Sequence, residues 1–138
     1  MLHEEITSQI IAAFYAVYNK LGYGFLEKIY ENALIFELRK SGLQVQEQVP
    51  IEVCYEGHPV GEYFADLLVG GNVIVEIKAA DVLMQAHENQ LVNYLKATLL
   101  EVGLVLNFGP EPQFKRKIFT NARKPALRPQ PLGPYSKE

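Results

Sequence analysis

Apolar residues near the start of the chain recur at every third or fourth position, which is the spacing of an amphipathic helix. The first run begins at residue 4 and consists of Ile6, Ile10, Phe14, Val17 and Leu21. Residues 22–24, Gly-Tyr-Gly, interrupt the pattern, which resumes from about residue 26 to residue 40. Residues 41–42, Ser-Gly, then provide a glycine for the left-handed conformation that ends many helices. We therefore expect helices over residues 4–20 and about 26–40.

The next segments have the composition and the alternating pattern of β-strands. Residues 43–55 are the first of them, and Pro50 predicts that this strand bends or lies at a sheet edge. A turn separates it from residues 60–69, and the residues Gly-Gly-Asn at 70–72 connect that segment to residues 73–79. Residues 60–69 and 73–79 are therefore expected to form a β-hairpin.

Helical spacing returns over residues 84–100, and an apolar run at residues 102–108 is compatible with a buried strand. The order of strand 73–79, helix and strand 102–108 predicts a right-handed parallel crossover. Residues 115–120 are expected to add an edge strand. The chain is therefore predicted to be an α/β protein with a mixed central sheet flanked by helices, in the order α–α–β–β–β–α–β plus that edge strand.

Bulk composition is typical of an ordinary soluble globular protein. The 138 residues suffice for one domain with a sizeable core, and no apolar run approaches the roughly 20 residues of a membrane-spanning helix. The N-terminal residues include two glutamates and lack the basic-then-apolar pattern of a secretion signal. The single cysteine, Cys54, cannot form an internal disulfide. We therefore expect a cytoplasmic protein without membrane association.

The net charge of −3 conceals an asymmetry along the chain. Residues 1–114 carry six lysines and arginines against fifteen aspartates and glutamates, whereas residues 115–138 carry seven against one. Four of the eight prolines lie in residues 121–138. We therefore expect a folded domain over residues 1–120 and a basic, proline-rich, disordered tail over residues 121–138. The acidic body favours a metal-attracting cleft, and the tail is either a polyanion-binding arm or a solvated segment.

Three charged residues interrupt the apolar pattern of residues 63–69 and 73–79 in the predicted hairpin: Asp66, Glu76 and Lys78. Charges are costly to bury in strands unless they are paired or bound to a metal. Because side chains alternate along a strand, Glu76 and Lys78 share a face. A three-residue loop places Asp66 opposite Glu76 on that face, whereas a two-residue loop separates the two carboxylates. Both loop lengths are common, so the pattern alone leaves the register open.

Facing carboxylates, with Cβ atoms about 5 Å apart, repel each other and raise a carboxyl pKa. A divalent cation such as Mg²⁺ removes this repulsion because it takes oxygen ligands. A lysine beside it can orient a water, accept a proton or stabilise charge on a phosphate. The alternative is a cross-strand salt bridge on a solvated sheet face, and the hairpin by itself does not exclude it.

Asp66, followed ten residues later by Glu76-Ile77-Lys78, resembles the core motif of the PD-(D/E)xK nuclease superfamily. The αβββαβ core of that superfamily agrees with the predicted order of elements. Residues 24–30 read G-x-x-E-x-x-Y and resemble the small bacterial and archaeal GxxExxY family, usually placed in the same superfamily. Residues 90–96 resemble the later helix of that family. Together the resemblance covers about residues 4–108.

The resemblance implies a restriction-endonuclease-like fold and assigns roles at matching positions. The implied metal ligands are two hairpin carboxylates, one backbone carbonyl and one helix carboxylate: Asp66, Glu76, Ile77 and Glu27. The implied catalytic set joins the three carboxylates to a lysine and to a glutamine that lines the cleft: Asp66, Glu76, Glu27, Lys78 and Gln90. The implied cofactor is Mg²⁺ or Mn²⁺. Ala65 stands at the proline position of the superfamily name, a departure found in many of its members.

The implied activity is that of a metal-dependent nuclease, which hydrolyses phosphodiester bonds of DNA or RNA with a metal-activated water. The basic residues Lys115, Arg116 and Lys117 are candidates for contacts with nucleic acid, and a solvated edge strand explains them equally well. One alternative is a catalytically silent module of the same fold that binds nucleic acid or protein, including a second copy of itself. Another is a hydrolase of a small phosphorylated substrate. The sequence leaves open the choice of DNA or RNA, the mode of cleavage, the physiological metal and the oligomeric state.

Overall fold

The computed structural model describes residues 2–124. The α-helices in this part of the chain are α1 (Glu4–Leu21), α2 (Glu27–Lys40) and α3 (Gln85–Lys96). The two helices predicted at the amino-terminal end are confirmed almost residue for residue. None of the helices between residues 2 and 124 combines the length and the apolarity needed to cross a membrane.

The strands of the described chain form a five-stranded mixed sheet. They are β1 (Val45–Tyr55), β2 (His58–Val69), β3 (Val73–Lys78), β4 (Val102–Phe108) and β5 (Pro112–Ile118). The strands lie in chain order across the sheet, with β3 parallel to β4 and the other neighbours antiparallel. The α3 helix connects the parallel pair, as predicted. The first strand is an edge strand, which is where Pro50 is tolerated.

Each face of the sheet has its own hydrophobic core. On one face, α1 and α2 pack against β3 and β4, and the buried rings of Phe14 and Tyr30 both contact that of Phe108. On the other face, α3 packs through Leu91. Gly103 in β4 permits this close packing, because a Cβ at that position would lie 2.5 Å from Leu91 Cδ1. The α3 helix therefore lies tightly against the sheet.

Strands β1 and β2 change the face on which they bury side chains. Leu67 of β2 lies in the core under α1 and α2, yet Ala65, which regular alternation would place beside it, lies in the α3 core. The same change separates Val45 from Val49 in β1. Between the latter two lies Gln48, whose φ of +49° is left-handed. Beyond this point the two strands continue past the end of β3 and pack over α3.

The α3 helix ends at Lys96, four residues before the predicted end. Thr98 explains the early end, since its Oγ1 donates to the carbonyl oxygen of Tyr94 at 3.0 Å and accepts from the N–H of Leu100 at 3.2 Å. A threonine that bonds to nearby backbone groups in this way competes with helical hydrogen bonds. The spacing of apolar residues continues past this point and so overestimates the helix.

The described fold continues beyond residue 120, where the sequence predicts the start of a tail. Residues Asn121–Arg123 form a 3₁₀-helix, and the next residue, Lys124, is buried. Its ammonium donates to two carbonyl oxygens that follow α3 and to Asn121 Oδ1, at distances between 2.6 and 3.0 Å. Burial lowers the pKa of Lys124. The described fold therefore extends to Lys124, and the rest of the predicted tail, residues 125–138, lies outside the described residues.

A buried amide holds the chain segment that leaves β3. Asn107 in β4 is fully buried, and its Oδ1 accepts a hydrogen bond from the N–H of Ala80 at 2.8 Å. Its Nδ2 donates to the carbonyl oxygen of the same residue at 3.0 Å. The side chain thus takes the place of a strand neighbour just after β3 ends at Lys78. It fixes the direction of the chain at that end of the strand.

Replacement of Asn107 by leucine is expected to lower the free energy of unfolding by about 1–3 kcal/mol, because both polar groups of Ala80 lose a buried partner. Urea denaturation measures the loss. The matched control is Asn72→Ala, which removes an exposed bond to Gly70 and is expected to cost no more than about 0.5 kcal/mol. Equal losses in the two variants would contradict the role of the Asn107 amide.

Candidate active site

The paired residues of β2 and β3 settle the register that the sequence left open. They are Leu67 with Val75, Leu68 with Ile74, and Val69 with Val73. This is the register of a three-residue loop, whose two glycines have φ angles of +62° and +71° that glycine adopts without strain. Positions 66 and 76 are therefore opposite each other. Of the two loop lengths that the sequence allowed, the three-residue loop is the one observed, and it brings Asp66 and Glu76 next to each other.

The ladder between β2 and β3 stops at Leu67, and the two carboxylates occupy the space beyond it. Glu76 Oε2 accepts a hydrogen bond from the N–H of Asp66 at 2.8 Å. Asp66 Oδ2 accepts one from the N–H of Ile77, also at 2.8 Å. Each carboxylate thus binds the backbone of the opposite strand, where a regular ladder would have a backbone carbonyl. These two bonds hold the side chains next to each other.

Burial is the largest cause of the shifted protonation of both carboxyls. Burial, followed by the negative charge of Asp66, raises the pKa of Glu76 from 4.5 to about 8. The hydrogen bond from the Asp66 N–H and the charge of Lys78 oppose this rise without cancelling it. Burial also raises the pKa of Asp66, against the hydrogen bond from Ile77. The folded, metal-free protein therefore retains a proton on Glu76 up to about pH 8.

Lys78, Gln90 and Tyr94 line the same side of the pair. Lys78 follows Glu76 by two residues and so lies on the same face of β3. Its Nζ donates to Gln90 Oε1, on α3, at 3.3 Å. Tyr94 is buried one turn further along α3, and burial with the charges of Glu76 and Asp66 raises the pKa of its hydroxyl. The fold therefore brings residues of three elements, β2, β3 and α3, close to one another.

The α2 helix directs two glutamates towards this region, and they differ in burial. Glu27, the residue implied by the sequence resemblance, is exposed, and its charge adds to the effect of burial in raising the pKa of Asp66. Glu31 is only 5% exposed, and its charge adds to the effect of burial in raising the pKa of both Asp66 and Glu76. Sequence reasoning missed Glu31 as a site residue. Its spacing of four residues from Glu27, on one helix face, was the available signal.

The contacts of Tyr30 explain the spacing of the G-x-x-E-x-x-Y segment. Its hydroxyl donates to the carbonyl oxygen of Gly22 at 2.7 Å and accepts from the N–H of Phe25 at 3.2 Å. Its ring stacks on that of Phe108, with 4.4 Å between the centroids. The tyrosine thus anchors the loop before α2 to the core. It determines where Glu27 and the following turn meet the hairpin.

The three basic residues of β5 do not form a common surface. Lys117 is paired with Glu88 of α3, with 2.7 Å between Nζ and Oε1. Arg116 points to the opposite face of the strand and donates to the carbonyl oxygen of Leu2. Lys115 is exposed. Contact of all three with nucleic acid stays a prediction, and two of them already have partners within the protein.

The donor atoms of the site suit a hard divalent cation. Asp66 and Glu76 supply carboxylates whose repulsion a cation would relieve. The carbonyl of Ile77 faces the same gap as its N–H, since a strand residue directs both groups to one side. No group of three or more His, Cys, Asp or Glu side chains within residues 2–124 is arranged to hold a metal ion. Carboxylates of this kind are ligands that divalent cations such as Mg²⁺ accept, with waters in the other coordination positions.

The family model of the PD-(D/E)XK nuclease superfamily matches residues 4–118. The chain belongs to this superfamily. The match extends from α1 to the end of β5 and so contains the whole sheet. It confirms the superfamily and, with the topology, the restriction-endonuclease-like α/β fold that the sequence predicted. PD-(D/E)XK nucleases generally use divalent metals, which agrees with the donor atoms described above.

Among solved structures, the "Crystal structure of SSO0001" is similar to this PD-(D/E)XK chain. The two are 19% identical in sequence, with a TM-score of 0.47. The alignment covers 84% of this chain and 59% of the other, so this chain spans somewhat more than half of that one. No curated protein matches the chain. The family assignment therefore depends on the superfamily match.

In the metal-free protein, the free energy of unfolding is expected to fall as the pH rises from about 4.5 to about 8. The pKa of Glu76 in the fold, about 8, exceeds its ordinary value of 4.5. Between these values the folded protein therefore retains a proton that the unfolded chain has released, so a rise in pH favours unfolding. Urea denaturation in EDTA at several pH values measures the slope.

Glu76→Gln is expected to flatten this pH profile, because glutamine does not ionise. Glu37→Gln changes a carboxyl on α2 that pairs with Lys20 and Lys40, away from the hairpin, and serves as the control. It should keep the slope of the parent protein. An unchanged slope in Glu76→Gln would show that this carboxyl is not the group whose ionisation destabilises the fold.

Proposed function

We propose that this chain is a divalent-metal-dependent nuclease that hydrolyses phosphodiester bonds of DNA or RNA. The observation that supports this most is the pair of adjacent carboxylates, Asp66 and Glu76, where β2 separates from β3. Lys78 and Gln90 lie on the same side of the pair. Membership of the PD-(D/E)XK superfamily makes a nuclease the first choice among the activities that such a site supports.

The proposed ligands of the ion, Mg²⁺ or Mn²⁺, are the carboxylates of Asp66 and Glu76 and the carbonyl of Ile77. Glu27 is proposed to reach the ion or one of its waters from the first turn of α2. When bound, the ion supplies polarisation of the scissile phosphate and activation of a water. The raised pKa of Glu76 supports the assignment, since burial and then the charge of Asp66 disfavour the ionised form, which a bound cation would stabilise.

Lys78 is proposed as the catalytic lysine. Its ammonium donates to the Gln90 side chain at 3.3 Å, which keeps it on the α3 side of the carboxylates. From there it orients the attacking water and stabilises the negative charge that develops on the phosphate. Gln90 holds the ammonium and lines the cleft. Tyr94 is buried one turn further along α3.

The proposal also includes the family within the superfamily, the cellular location, the class of substrate and a partner. The anchoring of the loop by Tyr30 supports placement in the GxxExxY family, because it uses the tyrosine of that motif. A single cysteine, which cannot form an internal disulfide, agrees with a cytoplasmic location. The basic segment 115–138 supports nucleic acid as the substrate. A homodimer or a protein partner would supply the positive surface that the acidic body lacks.

The second candidate is a catalytically silent module of the same fold that binds nucleic acid or protein. It is favoured by the hydrogen bonds that Asp66 and Glu76 already make to backbone N–H groups, because these give both carboxylates a structural role. Metal binding distinguishes the two candidates. A module that kept only the fold has no need for the ion.

The nuclease is expected to cleave single-stranded, duplex or branched DNA or RNA in the presence of Mg²⁺ or Mn²⁺. Lys78→Ala should lower the rate by roughly a hundredfold or more, since it removes charge stabilisation at the phosphate. Lys20→Ala removes an exposed lysine of α1 and is the matched control, with unchanged activity expected. Equal rates for the parent protein and Lys78→Ala would exclude the assigned mechanism.

Isothermal calorimetry is expected to detect one Mn²⁺ site that needs both hairpin carboxylates. Asp66→Asn and Glu76→Gln should each weaken binding by about tenfold or more, because each removes a charged oxygen ligand. Glu37→Gln should leave the affinity unchanged. A folded parent protein without measurable Mg²⁺ or Mn²⁺ binding would favour the silent module over the nuclease.

A further inference from the structure

One residue inside β1 has a backbone conformation that a strand does not normally contain. Gln48 has a φ of +49°, which is unfavourable for a residue with a side chain. The ladder with β2 is regular on either side of it, at Glu47 and Val49, but residue 48 does not pair with Asp66 opposite. The strained position therefore lies next to a site carboxylate.

The ladders of β2 are interrupted towards both neighbouring strands at Asp66. Towards β1 the pair with residue 48 is missing, and towards β3 the last pair is that of Leu67. This is also where β1 and β2 change the face on which they bury side chains. The left-handed residue in β1 and the separation of β2 from β3 are thus parts of one irregularity.

Glu31 contacts the strained residue from α2. Gln48 Nε2 donates to Glu31 Oε2 at 3.4 Å, and Lys28 Nζ lies 3.3 Å from the same oxygen. The Glu31 side chain is buried, so water competes little for its oxygens. An ionised acceptor binds donors more strongly than a neutral one. The helix therefore has a means of stabilising the conformation of β1 beside the site.

We infer that Glu31 is a positioning residue of the site, which acts through Gln48 and not by contact with the reacting phosphate. By holding the Gln48 side chain, Glu31 stabilises the left-handed turn in β1. That turn allows β2 to leave β3 at Asp66, and the carboxylates of Asp66 and Glu76 then occupy the gap. The catalytic meaning of this role rests on the proposed nuclease function, whereas the effect on the hairpin is measurable without it.

The test is the hydrogen exchange of two backbone amides in the metal-free protein, followed by NMR. The amides of Asp66 and Ile77 are the donors to the two site carboxylates. In Glu31→Leu, both are expected to exchange about tenfold faster or more, because the gap they line loses its support. Glu37→Leu, which removes another carboxylate of α2, is the control variant. In every variant, exchange at the amide of Leu104 in β4 reports the general loss of stability.

Two rescue variants separate positioning from a general packing effect. Glu31→Gln keeps an oxygen acceptor for Gln48, so in this variant the two amides are expected to exchange at rates within about threefold of those in the parent protein. In Gln48→Gly, the glycine at position 48 adopts a positive φ without strain. In the double variant Glu31→Leu with Gln48→Gly, the slow exchange of both amides should therefore return. If Glu31→Leu fails to fold, Gln48→Val provides the same loss with Glu31 in place, because a β-branched residue resists this backbone conformation.

The inference is overturned if Glu31→Leu leaves the two amides as protected as in Glu37→Leu. It is also overturned if glycine at position 48 does not restore their protection. These measurements need neither a metal nor a substrate. A failure of the proposed nuclease activity would appear separately, as a parent protein that does not cleave nucleic acid while its amides respond as expected.

Discussion

The structure depends on two reciprocal hydrogen bonds at the point where β2 parts from β3. Glu76 accepts the N–H of Asp66, and Asp66 accepts the N–H of Ile77. These bonds offset part of the cost of taking two carboxylates out of water, but they add no positive charge. Burial raises the pKa of both carboxyls, and the negative charge of Asp66 adds to the rise at Glu76. Both carboxyls thus have hydrogen-bond donors, and a bound cation would favour their ionised forms.

The surrounding elements make this local arrangement rigid. Gly103 allows α3 to pack directly on β4, which keeps Gln90 near the end of β3. Asn107 binds the backbone just beyond Lys78, and Tyr30 ties the loop before α2 to the core. The elements α2, β3 and α3, which are distant in sequence, are therefore held close together at the hairpin carboxylates. A site supported in this way on strands and helices retains its geometry better than one on loops.

The charges of the protein place a cation and a polyanion at different parts of the chain. Acidic groups surround the hairpin, where the charge of Glu31 adds to the effect of burial in raising the pKa of Asp66 and Glu76. The cations of the described surface are largely engaged, as Lys117 is with Glu88 and Lys28 with Glu31. Attraction of nucleic acid to such a body depends on few contacts, so its binding is expected to be weak without the basic segment or a partner.

The sequence by itself determined the order and the approximate ranges of the helices and strands, because apolar periodicity, glycines and prolines act locally. It identified Asp66, Glu76 and Lys78 through charges that interrupt apolar strands, but two loop lengths were compatible with their spacing. Only the tertiary structure decided the register, the change of faces at Gln48 and the burial of Glu31 in preference to Glu27. The register depends on how β2 pairs with β3, and the other two depend on how β1, β2 and α2 pack together. Burial and charge repulsion arise from groups far apart in the chain, and no local pattern records them.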